Sequence, residues 1–111
     1  MPIKKHTSEN NREISITIDE RFDFSLHQQF RDAYIKCEEQ GVQFILDLSK
    51  TSYMDSSALG MILLLKDHAE KLSGNVIINR PTDAVHKVLE IAQFHRLMTI
   101  EKIGRASCRE R

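Results

Sequence analysis

Two cysteines, four glycines and no apolar run longer than Met61–Leu65 set the first limits on this chain of 111 residues. Neither Cys37 nor Cys108 belongs to a C-x-x-C pair, and such sparse cysteine usage fits a reducing cytoplasm. The glycines form neither G-x-x-x-x-G-K nor G-x-G-x-x-G, so no glycine loop is expected to cradle a phosphate. An apolar run of five residues is far below the ~20 that a membrane-spanning helix needs. The opening "MPIKKHTSENN" has no apolar core, so no secretory signal is expected. Excess charge of one sign is missing too: basic and acidic residues number 16 each, which argues against wrapping nucleic acid or coating an anionic membrane. His6, His27, His68, His86 and His95 share no i,i+4 pairing and no cysteine at ligand spacing, so no metal site and no other cofactor is expected. Internal repeats and low-complexity tracts are absent, and the length suits one domain.

The last nine residues stand apart. "IGRASCRER", Ile103–Arg111, has no apolar period, and one choice of codons for it matches a widely used short-read sequencing adaptor translated in frame. The domain is therefore expected to span 1–102, with 103–111 a non-native tail outside the fold. Without Arg105, Arg109, Arg111 and Glu110, the 16 residues of each sign become 13 basic and 15 acidic, a mildly acidic domain.

What is present is periodicity. "ISITID", 14–19, alternates β-branched apolar and polar residues as a half-buried strand does, and a shorter strand around Ile3 precedes it across a turn at "SENN". "SLHQQFRDAYIKCEEQG" predicts a helix with a capping box at Ser25 and Gln28, an apolar stripe of Leu26, Phe30, Ala33, Tyr34 and Cys37, and a stop at Gly41. "VQFILDLS", 42–49, reads as a central strand covered on both faces. Ala58, Ile62, Leu65, Ala69 and Leu72 recur at helical spacing, with Gly74 as the stop. "NVIIN" is a further short strand. Pro81 and Thr82 open a helix with Val85, Val88, Leu89 and Ala92 on one face, and "MTIEKI" is a closing strand. This order implies an α/β domain: a mixed, mostly parallel sheet of four to five strands with three or more helices.

Between the central strand and the second helix lies "YMDSSALG", 53–60. An acid and two hydroxyls at the carboxyl end of a strand exceed what one helix cap requires, and that is where open α/β sheets place their sites. A hydrolase nucleophile occupies the same topological place, but Met54 and Ala58 stand where its flanking glycines would be, and no histidine is near in sequence. A serine hydrolase is thus the least supported reading. A phosphate on a serine here would be tolerated by the free N–H groups of the helix start. Leu59, Met61 and Leu64 fall outside the core stripe and, if exposed, form an apolar contact patch beside Ser56.

These residues carry a family resemblance. "FILDLSKTSYMDSSALGMILL" resembles the signature of bacterial anti-sigma factor antagonists of the STAS superfamily; "ERFDFSLHQQFRDAY" and "INRPTDAVHKVLEIAQFHRLMTI" are similar to its earlier and later blocks. The match runs in order to Ile100. The resemblance implies a small STAS-type α/β domain, not an enzyme. Its partner would be an anti-sigma factor that is also a serine kinase of the GHKL type, and a phosphatase would reset it. It implies Ser56, directly after Asp55, as the phosphorylated residue and Asp23 as the aspartate near that site. The expected partner-binding residues are then Asp23, Asp55 and Ser57 around Ser56, with Leu59, Met61 and Leu64 from the helix spacing. Some family modules are never phosphorylated, including transporter-associated ones. Glu20 stands where many relatives have glycine, and Ala58 replaces the commoner glycine after the paired serines.

Overall fold

The computed structural model describes residues 3–8 and 12–101. The tail 103–111 and most of the expected "SENN" turn lie outside the described residues. Among the described residues, seven strands and three helices follow one another: β1 (Ile3–Thr7), β2 (Glu13–Ile18), β3 (Glu20–Phe22), α1 (His27–Tyr34), β4 (Gln43–Asp47), β5 (Thr51–Met54), α2 (Ser56–Lys71), β6 (Asn75–Asn79), α3 (Asp83–Ile91) and β7 (Thr99–Glu101). The main sheet has the order β1-β2-β4-β6-β7. Only β1 is antiparallel, joined to β2 with Ile3 opposite Ile18 and Thr7 opposite Ile14. The mixed, mostly parallel sheet expected from the periodicity is thus present.

Period-two burial builds β2: Ile14, Ile16 and Ile18 are buried while Ser15 and Thr17 are only half-buried. In β4, Phe44, Ile45 and Leu46 are all buried, as its unbroken apolar run requires. Among the described residues, the helices pack on the face that carries Phe44 and Leu46. Phe44, Leu46, Val76 and Ile78 join the inward side chains of all three helices in one core cluster, and the buried Ile45 and Ile77 fall outside it. The aromatic rings of Phe22, Phe30, Tyr34 and Phe44 run through that core in tilted or edge contacts, with centroids 5.1–6.3 Å apart.

Two helix ends differ from the sequence expectation. Helix α1 stops at Tyr34, well short of Gly41. Beyond Cys37 the next helical stripe position falls on Gly41, and Glu38 and Glu39 are acids at the wrong end of a helix dipole. The Ser25–Gln28 capping box does not form either: Asp23 caps a short 3₁₀ turn (Phe24–Leu26) that precedes α1. At the end of α2 the left-handed residue is Ser73, φ 59°, rather than Gly74. The Ser73 and Gly74 amides donate to the Glu70 and Ala69 carbonyls, closing a Schellman motif. Gly74 is needed for a different reason. A Cβ there would meet the Val42 carbonyl oxygen at 1.9 Å.

Strands β3 and β5 have no counterpart in the sequence reading. They pair in parallel as a second, two-stranded sheet. The buried Thr51 stitches this ribbon to the rest: its hydroxyl donates to the Ile18 carbonyl (2.7 Å), and its own carbonyl accepts from Thr82 Oγ1 (2.6 Å). Thr82 is also the cap of α3. The ribbon is therefore held between the end of β2 and the start of α3.

Candidate functional site

The parallel register of β3 and β5 sets Phe22 opposite Met54, so the next residues, Asp23 and Asp55, emerge side by side at the strands' carboxyl ends. Neighbouring strands lie ~4.8 Å apart. Both aspartates keep extended backbone angles, and each caps the helical turn that begins at the next residue. Asp23 Oδ1 accepts from the Ser25 amide (3.0 Å) and from the Ser25 hydroxyl, and Asp23 Oδ2 accepts from Arg21 Nε at 3.3 Å. The Ser25 hydroxyl first, then the Ser25 amide and the Arg21 guanidinium, outweigh desolvation and hold the Asp23 carboxyl below the usual aspartate range. Asp55 Oδ1 accepts from the Ala58 amide (3.1 Å) and the Ser57 hydroxyl (2.7 Å). One carboxylate oxygen thus caps the Ala58 amide of α2 and holds the second serine.

Ser56 is the first residue of α2, is exposed, and makes no side-chain hydrogen bond among the described residues. Ser57 is half-buried with its hydroxyl engaged. The two neighbouring serines therefore differ: one hydroxyl is free toward solvent, the other belongs to the cap. With ~100° per helical residue, Leu63 lies within ~20° of Ser56 on the helix surface and Met61 ~140° away. The burial follows that geometry. Met61 is 4% exposed and packs in the core, so its expected place in a contact patch is corrected. Leu64 is 53% exposed, and Leu63, absent from the sequence reading, is 42% exposed. Leu59 is half-buried against the core.

The outer face of the ribbon adds residues that the sequence reading missed. The Arg21 guanidinium stacks 4.5 Å from the centre of the Tyr53 ring, its cross-strand partner. Phe24, 63% exposed, stacks on His27. The signal in the sequence was two alternating triplets, Arg21-Phe22-Asp23 and Tyr53-Met54-Asp55, whose likeness has meaning only once the strands are paired. Glu20 has φ 53°, a left-handed conformation that favours glycine over glutamate. Among the described residues no group of three or more His, Cys, Asp or Glu side chains could hold a metal ion, and no helix is long and apolar enough to cross a membrane.

A STAS-domain containing protein of Pseudomonas aeruginosa is 40% identical over 100 residues, spanning 90% of this chain and 99% of its own. The fold superimposes on the anti-sigma factor antagonist SpoIIAA in its unphosphorylated form with a TM-score of 0.73, at 21% identity, covering 88% of this chain and 86% of that one. It superimposes equally on a sulfate transporter family protein of Wolinella succinogenes, TM-score 0.74 at 16% identity, covering 90% and 83%. The family model for the STAS domain matches residues 3–105, nearly the whole chain, and the chain belongs to the STAS domain family.

Proposed function

We propose that this domain is a partner-switching protein, an anti-sigma factor antagonist that regulates transcription in the cytoplasm by binding an anti-sigma factor and releasing it when Ser56 is phosphorylated. The observation that carries the reading is the division of labour at 55–57. Asp55 caps α2 and occupies the Ser57 hydroxyl, and the Ser56 hydroxyl stands exposed without a structural task. A kinase can reach it without disturbing the fold. Leu63 and Leu64, two turns along the same helix, supply exposed apolar area beside it, with Leu59 at the margin. Asp23 and Asp55 emerge at the adjacent strand ends just before Ser56 and would help present its hydroxyl to the kinase. In this reading the partner is the serine kinase itself, of the GHKL type, a phosphatase restores the free hydroxyl, and the domain binds rather than catalyses.

Phosphopeptide mass spectrometry of the protein isolated from its own cells tests the modification. Titration of Ser56→Ala and Ser56→Asp against the purified anti-sigma partner tests the gate. Ser56→Ala is expected to bind constitutively. Ser56→Asp places an unpaired carboxylate in an apolar contact, and even ~3 kcal/mol of that penalty weakens binding about a hundredfold. Equal affinities would leave Ser56 as part of an ordinary binding surface.

A second reading is an interaction module that is never phosphorylated. The same fold in a sulfate transporter family protein supports keeping it. No phosphate on Ser56 under any growth condition would favour it. Labelling of Ser56 by a fluorophosphonate probe would overturn both readings in favour of a catalytic serine.

A further inference from the structure

On the reading of Ser56 as a phosphorylated serine, we propose that Arg21 is the residue that receives the phosphate: its guanidinium leaves Asp23 and the Tyr53 ring to pair with phosphoserine 56. The unmodified structure holds this arginine ready. Its side chain is 64% exposed, with the guanidinium carbon 4.5 Å from the Tyr53 ring centre and only Nε bonded, at 3.3 Å, to Asp23. The two terminal nitrogens make no hydrogen bond among the described residues. A stacked guanidinium with both terminal groups free is the fork that pairs bidentately with a phosphate.

Topology brings the two together. Arg21, Asp23 and Tyr53 share the outer face of the ribbon, while Phe22 and Met54 between them point inward and are buried. Asp55 follows Tyr53 beside Asp23, and Ser56 follows Asp55. Of the ionisable groups placed at this face, Asp23 and Asp55 are the acids and Arg21 the permanent cation, with the His27 imidazole further off, stacked on Phe24. Of the basic residues in 19–26 and 50–60, the other is Lys50, at the opposite, amino end of β5. A phosphate dianion beside Asp23 and Asp55 would otherwise meet like charge.

Arg21 can leave at low cost. Asp23 keeps the Ser25 amide and hydroxyl, so its carboxylate remains satisfied. The bond given up is long, singly attached and solvent-facing, which puts it at the weak end of ion pairs. Phosphorylation would then change the surface twice, adding charge at Ser56 and uncovering the Tyr53 ring.

The test needs no kinase. Phosphoserine is installed at position 56 by genetic encoding, in the parent chain and in Arg21→Gln, and the phosphate is titrated by ³¹P NMR. Its second ionisation, near pH 6 for a free phosphoserine, should fall lower in the parent than in Arg21→Gln by about half a pKa unit or more. In the parent, the Arg21 Nε–H and Tyr53 ring resonances should shift on modification. Amide spectra of the two unmodified chains check that the exposed substitution leaves the fold intact. Coincident ³¹P titrations, with Arg21 Nε unmoved, would overturn the proposal and leave the phosphate to the amides of α2. Because the phosphate is installed, failure to find it on Ser56 in cells would sink the switch without touching this result.

Discussion

Replacing Asp55 separates the capping role of the site from its proposed role in presenting Ser56. In Asp55→Ala, the Ala58 amide loses its carboxylate acceptor at 3.1 Å, keeping the residue-55 backbone carbonyl, also at 3.1 Å, and the Ser57 hydroxyl loses its 2.7 Å partner. The first loss is that of a helix cap, ~1 kcal/mol. The second is smaller, because Ser57 is only half-buried and water can replace the carboxylate. Loss of a negative charge at the helix start adds a few tenths, within the ~0.3–1 kcal/mol of such dipole contacts. The expected total is ~1–2 kcal/mol, or a fall in Tm of roughly 4–16 °C for a domain of this size. Asp55→Asn keeps an acceptor oxygen at the same position and gives up only the charge, so it should lose less than ~1 kcal/mol. Urea unfolding followed by far-UV circular dichroism, with m-values compared, measures both. Phosphorylation rates of the two variants then test presentation: if the carboxylate acts in presentation, Asp55→Asn slows the reaction while remaining nearly as stable as the parent. Equal destabilisation by Asn and Ala would refute the cap assignment. A wild-type phosphorylation rate in both variants would leave the acid as a cap alone.

Gly74→Ala places a Cβ 1.9 Å from the Val42 carbonyl oxygen and 2.9 Å from its carbon, backbone atoms that cannot swing aside. The α2–β6 junction must then move off β4, and a loss of ~3 kcal/mol or more is expected by chemical denaturation. Glu20→Gly relieves a left-handed glutamate, worth ~1–2 kcal/mol, against the ~0.5–1 kcal/mol that glycine loses in backbone entropy, so a small rise in Tm is expected. Asp23 has a lowered folded pKa, so its contribution is present above the unfolded aspartate value and is lost as pH falls through the folded one. Urea midpoints measured from about pH 6 down to about pH 3 should therefore fall more steeply for the parent than for Asp23→Asn. A chain ending at Lys102 should melt with the full chain, and a drop of several degrees, ~1 kcal/mol or more, would show that the last nine residues pack.

The sequence pattern carried the large elements, because each repeats its signal several times. β2 alternates through three buried isoleucines, and α2 sets five buried residues at helical spacing. The ribbon was illegible for the opposite reason. With three and four residues, β3 and β5 bury one side chain and two respectively, too few to define a period. Asp23 was assigned by family resemblance alone, and its place beside Asp55 depends on the parallel pairing of two segments 32 residues apart. Met61 was misassigned because the expected stripe, Ala58–Ile62–Leu65, was drawn too narrow. The helix buries Met61 as well, and its open side is centred on Ser56, Gly60 and Leu63.

That open side bears on how a phosphate could act. The fold draws on Asp55, Ser57 and the backbone to secure the α2 N-terminus, and none of those bonds passes through the Ser56 hydroxyl. A phosphate at Ser56 would gain from the helix dipole and lose from the Asp55 carboxylate one residue away. Each is an exposed charge interaction of ~1 kcal/mol or less, and they oppose each other. The folded state should therefore be nearly indifferent to modification, and the added charge would act on whatever docks over Leu63 and Leu64. Such a gate works by the electrostatics of a contact surface, with no rearrangement of the fold beyond the Arg21 side chain.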